Sequence, residues 1–480
     1  MARKKIKKIV SSLKLENYAA EGKSVAHLED GKTVFVTGAV PGDVVEIVLS
    51  KNKANYAEGQ VLKILEPAAD RVTPFCEHFG ICGGCKWQML PYEKQLKYKQ
   101  QQVEDQISRI GKVKLPSILP IIGCMQDRLY RNKLEFTFCK DAYLTKEEMI
   151  QQRENPVERL PVLGFHAPKM FDKVVDIQHC HLQQEPTNRI KNLLRDYAIK
   201  NDLSFYSPRE QIGWLRNLII RISSLGEVMV NLIVKENIDQ LIPMLDYLLK
   251  SVPEITSLHY TINPKVNDSI YDLKVITYFG KGFIEEKLED FKFKISPKSF
   301  FQTNTLQAER LYKVVRDFAD LSGKETVYDL YCGTGSIGIF VSKNARKIIG
   351  VETVADAITD AKENAKWNQL SNCSFFVGDV TDIVKEGFFE ANGFPDVIIT
   401  DPPRAGMTPK LIQQLIQIQS PKIVYVSCNP ATQARDLQML YPYYEITKLQ
   451  PVDMFPQTHH IENVALLKLR EEPLEVIENE

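Results

Sequence analysis

The chain has 480 residues, of which 44% are hydrophobic and 25% charged, with a formal net charge of zero. That is ordinary globular composition, long enough for two to four domains. It contains no apolar run near the ~18 residues of a membrane span, and neutrality gives no global attraction to a polyanion.

Nine cysteines, and no secretory core in MARKKIKKIV, point to a reducing cytoplasm. There, grouped cysteines are metal ligands or catalysts more often than disulfides. Charge is uneven: residues 1–65 carry 11 Lys/Arg against 7 Asp/Glu, and 91–140 carry 10 against 5. Local basic surface of this kind can hold phosphates, although a solvated lysine face is the plainer reading of either segment alone.

Residues 11–66 read as short strands separated by turns, with GKTVFVTGAVPGDVVEIVLSK and YAEGQVLKILEP as their clearest pieces. Such spacing predicts a small β-barrel of the kind that binds oligonucleotides. Next, FCEHFGICGGCKWQ places Cys76, Cys82 and Cys85 in C-x5-C-x2-C with Gly83 and Gly84 in its last loop. A closed site requires a fourth thiolate, which Cys180 can supply. Spacing does not separate tetrahedral zinc from a four-iron cluster. The polar stretch PYEKQLKYKQQQVEDQISRIG reads as an exposed helix, and residues 120–290 as α+β, with RNKLEFTF, PVLGFHA, NLIIRISS and EVMVNLIV as antiparallel strands.

From about residue 291 the rhythm becomes strand–helix alternation. Asn304, with Gln307 three residues on, caps a helix through TLQAERLYKVVRDFADL. The strands ETVYDLYC, ARKIIGVE, CSFFVGD, PDVIITD and PKIVYVSC follow. This pattern predicts a doubly wound α/β, mostly parallel sheet with its ligand at the strand carboxyl ends.

DLYCGTGSIGIF sets Gly333, Gly335 and Gly338 in G-x-G-x-x-G after a strand, with Glu352 ending the next strand, where a carboxylate can accept ribose hydroxyls. A dinucleotide and S-adenosylmethionine both fit such a loop. The later strand ends favour the methyl donor: VIITDPPR presents Asp401 and Arg404, and YVSCNP presents Cys428. Hydride transfer has no evident use for a thiol there. A cysteine closing a strand is more often a small buried hydrophobe than a nucleophile, so other residues must decide its role. Carbon-5 of uracil is a poor nucleophile until a thiolate adds at carbon-6, and a base must then remove the carbon-5 proton. DMFPQTHHIENVALLKL supplies Glu462 for that task beside an apolar strand.

FFQTN (300–304), DLYCGTGSIG, DPPRAG, VYVSCNPAT and DMFPQTHHIE, in that order, resemble the motifs of the S-adenosylmethionine-dependent RNA 5-methyluridine methyltransferases across essentially the whole chain. The resemblance implies a Rossmann-like class I methyltransferase domain at 291–480, a TRAM-like RNA-binding barrel at 1–67 and a central α+β domain at 68–290. It also implies Cys428 as nucleophile, Glu462 as base, and cofactor contacts at Gln302, Tyr331, Ser336, Glu352, Asp379 and Asp401. Ser336 stands where the family often has asparagine. The subgroup with both barrel and C-x5-C-x2-C…C holds a 4Fe–4S cluster, here on Cys76, Cys82, Cys85 and Cys180, and mostly modifies 23S ribosomal RNA. That RNA is the expected partner, with tRNA as runner-up, for a cytoplasmic monomer that binds no membrane. Phe35, Tyr56, Tyr92 and Tyr98 are candidates for base stacking. An inactive RNA-binding assembly factor and an iron–sulfur oxidoreductase using a nicotinamide are the rival classes.

Overall fold

The computed structural model describes residues 8–156, 160–383 and 386–474. Its N-terminal sheet runs in spatial order Ile9–Lys14, Val44–Asn52, Tyr56–Glu66, Thr33–Thr37, Ser24–His27, Asn17–Tyr18. Alternation explains it: in Val44–Asn52 every second residue turns inward, so Val45, Ile47 and Leu49 join Val34, Val36 and Ala57 in one small core.

The central sheet runs Val275–Gly280, Ile255–Ile262, Val228–Val234, Leu215–Ile222, Lys133–Cys139, Val162–His166, Val174–Asp176. The four expected strands are present and pair antiparallel among themselves. Ile255–Ile262, which the sequence reading did not mark as a strand, lies parallel to Val228–Val234. Helices Thr187–Lys200 and Leu241–Ser251 bury Ile190, Leu194, Met244 and Leu248 in this sheet's core.

The C-terminal sheet has the order Cys373–Val377, Lys347–Glu352, Thr326–Leu330, Val397–Thr400, Lys422–Ser427, Glu462–Leu469, Tyr444–Val452. The first five are the five strands read from sequence, all parallel, and the last two are antiparallel. Successive residues alternate between two cores, Val327, Ile399 and Val424 on one face, Tyr328, Ile398 and Tyr425 on the other. Helices therefore cover both faces. The order reverses between Thr326–Leu330 and Val397–Thr400, which is where such sheets open a ligand crevice. The helix Thr305–Ala319 starts as expected, with the Asn304 side chain accepting from Gln307 N at 3.3 Å. A hairpin, Ile284–Leu288 with Phe291–Ile295, lies across residue 290 and packs into this domain's core.

The helix Tyr92–Gly111 is not the exposed element its polarity suggested. Gln95, Lys99, Val103, Ile107 and Gly111 recur every fourth residue and form a buried stripe. Two of these are polar because their partners lie far along the chain. Lys99 Nζ meets Asp453 Oδ1 at 2.6 Å with both side chains fully buried, and Gln95 Nε2 donates to Gln457 Oε1 at 2.9 Å. Tyr92 is likewise committed, its hydroxyl donating to Asp453 Oδ2 at 2.9 Å, and Tyr98 packs edge-on against Tyr18. Both rings are half-buried. Phe35 and Tyr56 remain half-exposed neighbours on the barrel, with Lys51 Nζ 5.1 Å from the Tyr56 ring centre.

No described helix is long and apolar enough to cross a membrane.

Candidate active site

The carboxyl ends of the five parallel strands line the crevice. After Thr326–Leu330 the chain turns through Tyr331 at φ 63°, Gly333 at 53° and Gly335 at 75°. Left-handed backbone is costly for a tyrosine, about 1–2 kcal/mol, and such strain is characteristic of functional sites. A side chain at Gly335 would meet the Phe375 ring at 2.9 Å, and one at Gly338 the Asp329 carboxylate at 2.9 Å. These glycines thus let the loop close and the helix Ser336–Val341 press on the sheet. Asp329 accepts from Gly338 N at 2.8 Å, its other oxygen is buried without a partner, and burial raises its carboxyl to about 7. Sequence reasoning missed this residue, although its place at the start of the loop motif was a usable signal.

Glu352 is held at the next strand end, accepting from Gly333 N at 3.2 Å and Val354 N at 3.0 Å. Asp379 follows the third strand, exposed, its carboxyl held below the usual range by hydrogen bonds from the Thr381 hydroxyl and amide. Ser336 shares a 3.0 Å hydrogen bond with the Tyr312 hydroxyl. Gln302 lies two residues before the helix cap Asn304. Its carbonyl is pinned by Asn132 Nδ2 at 2.9 Å.

The thiol sits on a rigid corner. Strand Lys422–Ser427 ends one residue before Cys428, and Asn429 caps the helix Pro430–Leu440 by accepting from Ala431 N at 3.2 Å. The strand pairs antiparallel with Glu462–Leu469, Ser427 opposite Asn463. Continuing that register by one residue sets Cys428 opposite Glu462. Gln433 locks the arrangement from the helix, donating to Asn463 O at 3.2 Å and accepting from Asn463 Nδ2 at 2.7 Å. The DPPRAG loop is tied over the same corner: Asn429 Nδ2 and Thr432 Oγ1 each donate to Arg404 O at 3.1 Å, and Met407 N to Asp436 Oδ2 at 2.8 Å.

Charge at this corner is crowded. Burial first, then the Asp401 carboxylate, raises Glu462 well above the ordinary range, while Arg404 opposes them. Burial lifts Asp401 to about 7. Burial, then Glu462 and Asp401, push the Cys428 thiol up to about 11, with the Arg404 charge and hydrogen bond pulling the other way. Arg404 donates from Nη2 to His460 Nδ1 at 2.9 Å, and burial with neighbouring cations holds that imidazole down near 3. The pairing of Arg404 with both Cys428 and His460 was not read from sequence, since 24 and 56 residues separate the partners along the chain.

Cys76, Cys82, Cys85 and Cys180 line a single cavity of about 480 Å³. Cys180 lies close enough to interact electrostatically with the other three. A side chain at Gly83 would meet His166 O at 2.9 Å, and Gly84 N approaches Cys82 Sγ at 3.4 Å, so the chain is wound closely here. Among the described residues, no three His, Cys, Asp or Glu side chains are gathered as ligands of a metal ion. A four-iron cluster spreads its thiolates more widely than one tetrahedral ion does. The same loop supports the active site, with Lys86 N and Trp87 N donating to Gln457 O at 2.7 and 3.1 Å. The barrel reaches this segment too: a side chain at Gly22 would meet both His459 Cβ and Trp87 Nε1 at 3.0 Å.

Residues 226–470 match the tRNA (Uracil-5-)-methyltransferase family, and residues 12–62 match the TRAM domain. A protein of Bacteroides thetaiotaomicron described as an uncharacterized RNA methyltransferase is 52% identical, over 94% of this chain and 100% of its own length. One of Porphyromonas gingivalis with the same description is 46% identical, over 95% and 99%. Among solved structures, the Pyrococcus abyssi tRNA (uracil-54, C5)-methyltransferase in complex with S-adenosyl-L-homocysteine is similar. It has 28% identity and a TM-score of 0.72, covering 95% of this chain and 100% of that one.

Proposed function

Because the chain belongs to the tRNA (uracil-5-)-methyltransferase family and is an S-adenosylmethionine-dependent RNA methyltransferase, we propose that it methylates carbon-5 of a specific uridine in 23S ribosomal RNA, through a transient bond between Cys428 and carbon-6 of the base. The observation that supports this reading is the strand register, which ends with Ser427 opposite Asn463 and leaves Cys428 next in line beside Glu462, whose charge acts on the thiol. An assembly factor that only bound RNA would need neither group, and a nicotinamide oxidoreductase would need no thiol at that place.

S-adenosylmethionine fits the residues present and supplies, when bound, an electrophilic methyl group on its sulfonium. Glu352 would take the ribose hydroxyls and Asp379 and Tyr331 the nucleoside, while Gln302, Ser336 and Asp401 would line the remainder. The target uridine must leave any stack to enter. Cys428 loses its proton to solvent, the thiolate forms the carbon-6 bond, and the pair of the carbon-5–carbon-6 double bond moves toward the carbonyl oxygen as an enolate, which makes carbon-5 the nucleophile. Arg404 offsets the charge of the Cys428 thiolate while its guanidinium is anchored on His460. After alkylation Glu462 removes the carbon-5 proton, the ring's electrons re-form the double bond, and the cysteine leaves.

The domain division follows the same reading: barrel 1–67, central domain 68–290 and catalytic domain 291–480 in a monomer. The four cysteines would hold a 4Fe–4S cluster whose task is to shape the loop at Gln457, since methyl transfer uses no electron. Purified protein is expected to absorb visible light in the iron–sulfide charge-transfer region and to lose that absorbance in Cys82→Ser. A colourless, zinc-loaded protein would overturn it.

A second reading, tRNA as substrate, is favoured by the similarity to the Pyrococcus abyssi enzyme. Mass mapping of 5-methyluridine in ribosomal and transfer RNA, from cells with and without the protein, decides between them. Loss of a 23S mark is expected, and a mark missing only from tRNA would reverse the assignment.

A further inference from the structure

Two like charges face each other across adjacent strands of the central sheet. Lys133, the first residue of Lys133–Cys139, is directly opposite Arg221 in the antiparallel partner Leu215–Ile222. Directly opposed like charges destabilise a strand pair, and this pair is not at the open surface. Arg221 is 4% exposed. Its Nη2 donates to Ser299 O at 2.6 Å, and its Nε is buried without a hydrogen-bond partner. Arg131, two residues before Lys133, also has a buried, unpartnered Nε. Against these three cations stands one carboxylate, Glu135, whose Oε2 is 3.7 Å from Lys133 Nζ and which is half open to solvent. Burial, followed by the Arg221 charge, lowers the Lys133 ammonium below its ordinary range.

The position of the cluster indicates its counter-ion. Between Arg131 and Lys133, Asn132 N donates to Thr303 O at 2.8 Å and Asn132 Nδ2 to Gln302 O at 2.9 Å. The cations therefore lie against Gln302 and Thr303, and Arg131, Lys133 and Glu135 also line the wall of the cysteine cavity. Phe300 and Tyr271, 65% and 64% exposed, stand in the same neighbourhood, Phe300 next to Ser299 and Tyr271 within electrostatic range of Arg221. Three cations against one carboxylate, beside exposed aromatic rings, suit a single nucleic-acid strand, with phosphate on the charges and bases on the rings.

We propose that Lys133 and Arg131, backed by the buried charge of Arg221, form a phosphate subsite for the backbone of the substrate RNA beside the flipped uridine, with Glu135 as a competing internal anion. The proposal rests on the RNA-methylation reading above, but it is tested by binding alone, so the two fail separately.

The full-length protein with its cysteine site loaded is titrated with an oligouridine strand over a range of salt concentrations. Lys133→Gln is expected to weaken binding several-fold at low salt and to make the slope of log K against log salt shallower by about 0.7, one phosphate contact on a single strand. Glu135→Gln is expected to act in the opposite direction and tighten binding. Calorimetric affinity for S-adenosylmethionine and visible absorbance should be unchanged in both. A slope unchanged in Lys133→Gln overturns the proposal. If absorbance falls while the slope holds, the cations serve the cysteine site instead. If both variants shift binding the same way and lower the melting temperature, the Lys133–Glu135 pair is only structural.

Discussion

Cys428→Ala is expected to lower methyl transfer by about 10⁴-fold or more, in line with removal of a nucleophile from a group that acts as a unit. Without sulfur at carbon-6 the uracil ring has no route to an electron-rich carbon-5, and no neighbouring residue replaces it. Asn429 is spent on capping its helix and Ser427 Oγ on the Asn429 backbone. The fold should be unaffected, because Cys428 is half-exposed at a corner whose hydrogen bonds come from Asn429, Thr432 and Gln433. The measurements are methyl incorporation into RNA, tritium release from carbon-5-labelled uridine, and a denaturation-resistant adduct with 5-fluorouridine RNA. All three should vanish while cofactor affinity stays. Turnover within tenfold of the parent enzyme would sink the mechanism. The pH profile carries the same signature: with the thiol pushed up to about 11, the reactive thiolate is the minor form below that value. kcat/KM toward RNA should therefore climb from pH 7 to pH 10 without a plateau.

Glu462→Gln is expected to separate two steps. Loss of the base should reduce turnover by about 10²–10⁴-fold, but addition and alkylation remain open, so labelled methyl should accumulate on protein-linked RNA. Removing the Glu462 charge also removes the second-largest influence raising the thiol, after burial. The variant should therefore form its adduct at lower pH than the parent. An isosteric amide keeps the strand start filled, so a melting temperature near the parent's is the control. Full turnover in this variant would move the base to Asp401.

The five parallel strands, the glycine loop and the Asn304 cap were legible because each is written in local pattern: apolar runs, glycine spacing, and a capping residue three positions before its partner. The helix Tyr92–Gly111 was misread because its buried stripe includes Gln95 and Lys99, whose partners Gln457 and Asp453 lie more than 350 positions away. Local polarity says "solvent" where long-range pairing says "interior". For the same reason Arg404 was seen only as a strand-end residue, with no sign of His460 beside it, and the Lys133–Arg221 opposition waits on a strand register that no window of sequence contains. Cys180 was named as a fourth thiolate because a closed site needs one, and the family likeness agreed, but its approach to a trio some hundred residues earlier is not written in the spacing.

The stretch from Asp453 to His460 is gripped by Lys99 and Gln95 of the long helix, by Lys86 and Trp87 beside the cysteines, and by the barrel tip at Gly22. Grafting a foreign barrel alone would set a mismatched surface against His459 and so disturb chemistry far from the graft. The interchangeable piece is accordingly larger than a conventional module. Any recombination that redirects the enzyme to another transcript must carry barrel, cysteine loop and helix as one inherited block.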